Sequence, residues 1–198
     1  MKKIQVHIID ANALASNSLY GSSFLNDEDL KFLERYKVES TKKEKAVSLI
    51  LKRKYIGEYH LNSHGKPIAD NNTCFNISHT HGVVAFVMDE VPVGIDIEMI
   101  KEVEPRFKEY IATEEELEHI KTEEDFHDIW TNKESLVKAV GTGIDRSVKE
   151  IPGLPINGVR EYKGKKYFSR TLRFRYYAVT VTREDPEEFD VELIQEEI

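Results

Sequence analysis

Three carboxylates and one lysine are the residues of this chain whose types and spacing could do chemistry. Asp96 and Glu98 lie two positions apart in the strand-like run GIDIE, so both side chains would leave the same face. Glu134 and Lys138 lie four positions apart in the helix-like run WTNKESLVK, so they would share one stripe. Carboxylate oxygens suit a hard cation such as Mg²⁺, and an ammonium suits phosphate oxygens. The four residues together predict a site for a divalent cation beside a phosphate.

Each pair also has an ordinary explanation. Asp96 and Glu98 could be acids on the solvent face of an edge strand, and Glu–Lys pairs at this spacing are common on helix surfaces. Two neighbours favour a site instead. Gly94 indicates close approach of another backbone to the strand, and Trp130, one turn before Glu134, indicates a buried face. A buried carboxylate–lysine pair is costly to desolvate, and a metal ion with a phosphate would relieve that cost.

A polar strand end in the run FNISHTHG offers a second position for phosphate oxygens. Ser78 supplies a hydroxyl and His79 an imidazole, next to backbone N–H groups. His79 and His81 also have the alternating spacing of a Zn²⁺ or Ni²⁺ pair, but the sequence offers no suitable third ligand nearby. An ordinary polar turn after a strand is the remaining alternative.

Composition and length restrict the classes of protein. The 198 residues can form one domain or two small halves with a shared core, and 40% hydrophobic with 32% charged residues is ordinary for a globular protein. A single cysteine, Cys74, excludes an intrachain disulfide and a cysteine-rich zinc site. We expect a cytoplasmic protein that does not enter a membrane, because no apolar run approaches about 18 residues and the first residues are too polar for a signal peptide.

The net charge of −8 argues against general nucleic-acid binding, but it hides one basic segment. Residues 31–57 contain nine Lys or Arg and three Asp or Glu, a local net charge of +6. A basic helix on an acidic protein predicts a local anion site, with a solvated helix face as the alternative.

The predicted elements alternate without the regular order of a doubly wound sheet. A first strand spans residues 3–10. Asn26 or Asp27 caps a short helix, and Ser40 or Thr41 caps the basic helix, with Glu44 near the capping-box position and Gly57 near its end. A polar loop at 60–73 precedes three strands, at 74–78, 82–88 and 91–97, which the pattern predicts to form a buried antiparallel meander.

The second half of the chain is predicted to contain three helices followed by strands. The helices span 105–111, 113–120 and 122–140; a hairpin pairs 158–162 with 166–169 through a turn at 163–164; further strands span 176–182 and 189–194. This mixed order favours an α+β fold.

Four motifs taken in order resemble the 4′-phosphopantetheinyl transferases, of the longer type similar to the surfactin-synthetase activator. The motifs are the GKP of 65–67, the FNISH of 75–79, the GIDIE of 94–98 and the WTNKESLVK of 130–138. The resemblance covers roughly residues 31–145. It implies a 4′-phosphopantetheinyl transferase-like α+β fold of two similar halves, residues 1–98 and 99–198, related by a pseudo-twofold axis. The second half carries the catalytic helix, coenzyme A binds in the cleft, and the protein is a monomer.

The resemblance also implies an activity. A member transfers 4′-phosphopantetheine from coenzyme A to a serine of an apo acyl or peptidyl carrier protein and releases 3′,5′-ADP. Asp96, Glu98 and Glu134 would hold Mg²⁺, with Mn²⁺ as the alternative. Glu134 would also be the general base, and Lys138 would stabilise charge on the pyrophosphate.

The same resemblance assigns residues to coenzyme A. Lys43 matches the basic position for the 3′-phosphate, Lys42 is a near competitor, and Lys31 is a further candidate. The remaining contacts go to phosphate oxygens and to the nucleotide end, from Ser78, His79 and Lys66.

Two other functions use the same residues. A Mg²⁺-dependent nucleotide pyrophosphate hydrolase would use the three carboxylates with water as the nucleophile. A non-catalytic module would bind coenzyme A or a carrier protein without chemistry, although a pure binder has no need for clustered acids.

Overall fold

The computed structural model describes residues 1–61, 67–144 and 147–196, and most of its strands lie in two four-stranded sheets. The strands are β1 (Lys2–Asp10), β2 (Tyr59–Leu61), β3 (Pro67–Ala69), β4 (Cys74–Thr80), β5 (Val83–Asp89), β6 (Val93–Met99), β7 (Gly158–Tyr162), β8 (Lys165–Phe174), β9 (Tyr177–Arg183) and β10 (Phe189–Gln195). The helices are α1 (Ser16–Tyr20), α2 (Asp27–Leu33), α3 (Glu39–Tyr55), α4 (Pro105–Ile111), α5 (Glu114–His119) and α6 (Glu123–Val140), with 3₁₀ turns at Ala11–Ala13 and Val148–Glu150. The predicted mixed α and β content is confirmed.

The first sheet has the strand order β10-β1-β5-β4, and the second has the order β6-β9-β8-β7. Strand β10 joins the first sheet by pairing parallel to β1, with Lys2 opposite Phe189. The other pairs in these sheets are antiparallel. Among the described residues, no helix has both the length and the apolar character needed to cross a membrane.

Each sheet is covered by one long helix, and the two sheets share a core between them. Helix α3 packs its buried residues, such as Ile50, against Phe86 of the first sheet. Helix α6 carries a second cluster around Leu136. A third cluster contains residues of both sheets, including Ile95 and Ile97 of β6, which are fully buried. The alternate residues of β6 are therefore turned away from this core, as the sequence alternation predicts.

Helices α5 and α6 both begin with a threonine cap followed by acidic residues. Thr113 and Thr122 each accept a hydrogen bond from the backbone N–H three residues on, and the acid at that position bonds back to the cap, which completes a capping box. Helix α6 ends at Gly141, whose φ of 86° is the left-handed conformation that favours glycine.

The predicted cap of the basic helix at Ser40 or Thr41 is wrong. Helix α3 begins at Glu39, and its cap position is Val38, which makes no side-chain cap hydrogen bond. The carboxylate of Glu39 accepts hydrogen bonds from Ser16 and Tyr20, so a contact with α1 anchors this end in place of a side-chain cap.

The predicted meander is wrong in its third strand. Strands β4 and β5 pair, but β6 pairs with β9 in the second sheet. Alternation specifies which face of a strand is buried and does not specify the partner strand. The predicted loop at 60–73 also contains the short β2–β3 hairpin, with residues 62–66 outside the described part.

Strands β4 and β6 are edge strands whose side chains join the two sheets. The hydroxyl of Ser78 on β4 accepts a hydrogen bond from the backbone N–H of Ile97 at 3.4 Å and donates to Asp96 at 2.9 Å. These contacts form a seam between the edge strands β4 and β6. The seam is polar where the predicted site residues lie.

Gly94 allows the backbone of α6 to lie directly on β6, which confirms the predicted close approach. A Cβ at this position would stand 2.0 Å from the carbonyl oxygen of Ser135 and 2.5 Å from the backbone nitrogen of Ala139. This contact brings Glu134 and Lys138 of the helix next to Asp96 of the strand.

We predict that Gly94→Ala destabilises the protein by roughly 3 kcal/mol or more, because helix and strand must separate to admit one methyl group. Gly164→Ala is the matched control, since nothing lies within 4 Å of its Cβ and only its φ of +74° is unfavourable, at about 1 kcal/mol. Chemical denaturation of both variants measures the difference. Equal losses would contradict the assigned close contact.

Candidate active site

Asp96 is the most buried acid of the seam, at 2% exposure. Its Oδ1 atom accepts hydrogen bonds from Ser78 Oγ at 2.9 Å and from Lys138 Nζ at 2.5 Å. Its Oδ2 atom is buried with no hydrogen-bond partner among the described residues. A buried carboxylate oxygen without a partner is costly, so this atom is available to a ligand.

Glu98 lies two residues on and points to the same side of β6. The hydroxyl of Thr80 donates to its Oε2 atom at 3.2 Å, and the side chain of Trp130 lies close enough to the same carboxylate to lower its pKa. Burial, and after it the charge of Asp96, raises the pKa of Glu98 above its ordinary value. The sequence predicted that Trp130 lies on a buried face. In the structure Trp130 is half-buried beside the core and lies next to Glu98, which agrees with that prediction.

Glu134 reaches the same region from α6. Burial, followed by the charges of Asp96 and Glu98, raises the pKa of Glu134 to about 7, while Lys138 opposes the shift. Charge interactions of this kind require proximity, because they fall off with distance and screening. The structure therefore brings together the four residues that the sequence singled out from two distant runs.

These three carboxylates suit a divalent cation in their chemistry. They offer oxygen ligands, they repel one another, and Asp96 Oδ2 has no hydrogen-bond partner in the part of the chain that the structure describes. Within residues 1–61, 67–144 and 147–196, however, no group of three His, Cys, Asp or Glu side chains already surrounds a common metal position. Lys138 takes one oxygen of Asp96 instead. Convergence of all three acids on one cation remains a prediction.

Lys133, the neighbour of Glu134, belongs to the interior behind the site. Its ammonium is fully buried, pairs with Glu116 at 2.8 Å and donates to the carbonyl oxygens of Val148 and Ile151. Burial lowers its pKa, and Glu116 opposes that shift. Adjacent residues occupy different faces of a helix, and no other feature of the sequence indicated this role for Lys133.

A cavity of about 490 Å³ lies beside His79, between helix α3 and the edge strand β4. Helix α3 contributes Lys45, Ser48 and Lys52, which are spaced by three and four residues and so share a face. Lys52 also lies over the ring of Tyr59, with its Nζ 4.8 Å from the centroid. The lining also includes the aromatic rings of Phe32 and Tyr36 and the acids Glu28 and Asp29, and Asp29 is paired with Arg53. The two lysines and the imidazole of the α3–β4 side have the chemistry to hold a phosphorylated compound.

Among the described residues, the lysines that the sequence analysis assigned to coenzyme A lie at other positions than this cavity's lining. Lys43 donates to the carbonyl oxygen of Leu14 at 2.6 Å, and Lys42 lies over the ring of Tyr20. Lys31 is exposed on α2, and Lys66 lies outside the described residues.

Lys45 faces the cavity and was not predicted. Helical spacing from Ser48 and Lys52 was the signal that could have found it, because these three residues repeat on one side of α3. Its Nζ lies 2.9 Å from Nε2 of His79. The assignment of Lys43 to a phosphate therefore stays a prediction, with Lys45 as a second candidate.

Comparison with known proteins matches the second half of the chain to one family. The family model described as the 4′-phosphopantetheinyl transferase superfamily matches residues 92–187, which include β6 and α6. A protein named Holo-[acyl-carrier-protein] synthase, from Streptococcus pyogenes serotype M12, is 31% identical over an alignment of 111 residues that covers 46% of this chain and 94% of that protein.

Two longer relatives are similar over a shorter share of their length. The 4′-phosphopantetheinyl transferase gsp of Aneurinibacillus migulanus is 36% identical over 92 residues, which is 43% of this chain and 39% of that protein. The 4′-phosphopantetheinyl transferase psf-1 of Bacillus pumilus is 31% identical over 94 residues, 43% of this chain and 40% of that protein. The match therefore spans about two fifths of these two relatives.

The fold, the clustered acids of the seam and the match to nearly the whole of a shorter relative agree, and the chain belongs to the 4′-phosphopantetheinyl transferase superfamily. Its similarity to gsp and psf-1 confirms the resemblance to phosphopantetheinyl transferases of the surfactin-activator type.

The raised pKa of Glu134 predicts how the stability of the metal-free protein depends on pH. Between its ordinary pKa of 4.5 and the folded value of about 7, the folded state binds more protons than the unfolded state. The free energy of unfolding therefore falls as pH rises through this window. We expect Glu134→Gln to be more stable than the original protein above pH 7 by roughly 2 kcal/mol, and to match it below pH 4.5.

Denaturant unfolding in the presence of a chelator, repeated from pH 4 to pH 8, measures this difference. Glu124→Gln is the control, because Glu124 is an exposed acid of the same helix and its replacement should leave the pH profile unchanged. Parallel profiles for the original protein and Glu134→Gln would show that Glu134 is not a repelled, buried carboxylate.

Proposed function

We propose that this protein transfers the 4′-phosphopantetheine group of coenzyme A to a serine of an apo acyl or peptidyl carrier protein and releases 3′,5′-ADP. Membership of the superfamily supports the reaction class. The observation that carries the proposal is the mutual repulsion of Asp96, Glu98 and Glu134 beside the ammonium of Lys138. A protein without an ionic ligand has no use for such a cluster, because burying like charges together costs stability.

The nucleotide end of coenzyme A is proposed to occupy the cavity beside His79. Lys45 and Lys52 offer positive charge there, and Tyr59 offers an aromatic face. Ser78, the chain neighbour of His79, leaves the opposite face of β4, where it donates to Asp96 and accepts from Lys138. A ligand with phosphates at both places would pass around this edge strand.

The proposed reaction moves one proton and exchanges one phosphorus–oxygen bond. The serine oxygen of the carrier attacks the β-phosphorus, its proton passes to the carboxylate of Glu134, and the bond from that phosphorus to the bridging oxygen breaks. Lys138 offsets the negative charge that grows on the leaving 3′,5′-ADP. The pKa of about 7 for Glu134 suits a general base near neutral pH.

Asp96, Glu98 and Glu134 would hold the metal ion, Mg²⁺ or alternatively Mn²⁺. When bound, it neutralises charge on the pyrophosphate. Lys138 would then contact phosphate oxygens as well as Asp96, since its ammonium has three donor hydrogens.

We also propose that the chain acts as a monomer of two similar halves, residues 1–98 and 99–198, related by a pseudo-twofold axis. Two four-stranded sheets, each with one long helix packed on it, support this arrangement. Strands β6 and β10 cross between the halves, since β6 pairs in the second sheet and β10 in the first.

Glu134→Gln is expected to lower the rate of carrier modification by at least about 100-fold while the fold is retained, because the amide cannot accept the serine proton. Mass spectrometry of apo carrier proteins incubated with coenzyme A and Mg²⁺ detects the added phosphopantetheine. Glu124→Gln serves as the control and should react at the original rate. Near-normal modification by Glu134→Gln would remove the proposed base.

The same incubation without a carrier protein separates the alternatives. A pyrophosphate hydrolase would release 3′,5′-ADP from coenzyme A alone. A binding module would show tight coenzyme A binding by calorimetry and would modify neither acyl nor peptidyl carriers. Either result would overturn the proposed transfer.

Lys45→Ala is expected to raise KM for coenzyme A about tenfold, because one charge-assisted contact to phosphate is lost. Lys43→Ala should have a smaller effect, since Lys43 donates to the carbonyl oxygen of Leu14. Steady-state kinetics with coenzyme A and with 3′-dephospho-coenzyme A measures both variants. A larger effect of Lys43→Ala, confined to coenzyme A, would restore the sequence-based assignment of the 3′-phosphate to Lys43.

A further inference from the structure

A carboxylate that the proposed reaction does not use lies directly behind His79. Glu44 of α3 is buried, at 8% exposure. One of its carboxylate oxygens accepts a hydrogen bond from the backbone N–H of Gly82 at 2.5 Å, and the other lies 3.1 Å from Nδ1 of His79. The sequence pattern places Glu44 only near a helix start, and none of the family motifs contains it.

The second nitrogen of the same imidazole faces a cation. Nζ of Lys45 lies 2.9 Å from Nε2 of His79. An ammonium can only donate, so Nε2 must accept; an ionised carboxylate can only accept, so Nδ1 must carry the hydrogen. Both neighbours of His79 therefore select the same neutral tautomer, and the opposite tautomer would face repulsion at both nitrogens.

We propose that Glu44 is a positioning residue that acts through His79: it fixes the imidazole proton on Nδ1, and the free Nε2 then holds the ammonium of Lys45 at the cavity where a phosphate of the nucleotide binds. This inference rests on the proposed function, since it concerns the same cavity. Lys45 keeps two further donor hydrogens for an anion while one is used on His79. Its side chain is thereby ordered before the ligand arrives, which lowers the entropic cost of binding.

The surrounding charges agree with a neutral imidazole. Burial, and then Lys45, lowers the pKa of His79, and Lys138 acts in the same direction. Glu44 is the charged neighbour that acts in the opposite direction. Burial also lowers the pKa of Lys45, with Lys52 adding to that shift and Glu44 opposing it.

Glu44→Gln tests the tautomer with little change in shape. The one amide oxygen of the new side chain can still accept from the N–H of Gly82, and its NH₂ group then faces His79. An amide donor at Nδ1 requires a bare Nδ1, so the proton must move to Nε2, against Lys45. Nitrogen-15 NMR of the histidine ring is expected to show a protonated Nδ1 in the original protein and a protonated Nε2 in the variant.

Calorimetry with 3′,5′-ADP as the probe tests the consequence without any turnover. We expect Glu44→Gln to bind the probe about tenfold more weakly, because the ammonium of Lys45 loses its acceptor and one charge-assisted contact to phosphate is lost. The same measurement with 5′-AMP, which lacks the 3′-phosphate, shows which phosphate the ammonium contacts. If the original protein and the variant bind 5′-AMP equally well, the ammonium contacts the 3′-phosphate; if the tenfold difference persists, it contacts the 5′-phosphate.

Asn12→Ala is the matched control for a merely structural role of Glu44. The Asn12 side chain donates to the carbonyl oxygen of His81 at 3.2 Å, so it holds the same β4–β5 turn without touching His79. This variant should keep the original tautomer and the original affinity.

Three results would overturn the proposal: the same tautomer in Glu44→Gln and in the original protein, a changed tautomer with unchanged affinity, or an equal loss of affinity in Asn12→Ala. An original protein that has the expected tautomer but does not bind 3′,5′-ADP would overturn the proposed function, and with it the role of Glu44 in anion binding. The NMR result distinguishes this failure from a failure of the Glu44–His79 contact.

Discussion

Repulsion among buried carboxylates is the constraint around which the rest of this structure is organised. The charge of Asp96 disfavours ionisation of Glu98, the charges of both disfavour ionisation of Glu134, and Lys138 offsets only part of that cost. Such a group persists only if stronger packing elsewhere holds its members in place. Here the packing comes from β6, whose isoleucines are fully buried in the core shared by the two sheets, and from α6, whose backbone rests on Gly94. The proposed cation would relieve this repulsion, so its binding would also raise the free energy of unfolding.

Buried polar networks keep α6 in register on its sheet. Ser135 and Thr182 share a hydrogen bond at 2.7 Å, and Arg160 donates to the side-chain oxygen of Asn132 at 2.5 Å. Burial lowers the pKa of Arg160 to about 9, so this guanidinium stays charged at neutral pH. Together with the Lys133–Glu116 pair, these contacts fix the rotation of the helix, and the rotation decides where Glu134 points. One face of α6 therefore carries Glu134, and the contacts of its other faces hold the helix in place.

Periodicity and local chemistry explain why most elements could be predicted from the sequence. Capping boxes mark the starts of α5 and α6, a Lys-Gly turn marks the β7–β8 hairpin, and strand alternation places the two isoleucines of β6 in the core. Partners in space were harder to predict. The sequence cannot show that β6 leaves its neighbour in the chain for the second sheet, because either sheet buries the same face. Helical spacing groups Lys45 with Ser48 and Lys52 on one side of α3, but the sequence does not show that this side, and not the side of Lys42 or Lys43, faces the cavity.

Parallel pairing of β1 with β10 makes the first sheet depend on a distant part of the chain. Gln5 and Glu192 meet across this pair at a separation of 187 residues. During translation, one edge of β1 therefore stays unpaired until the strands of the second sheet, and after them β10, have left the ribosome. Contacts of such long range slow folding, and open strand edges recruit other chains. The unpaired edge of β1 in the nascent first half is therefore a position at which another chain could pair and start aggregation.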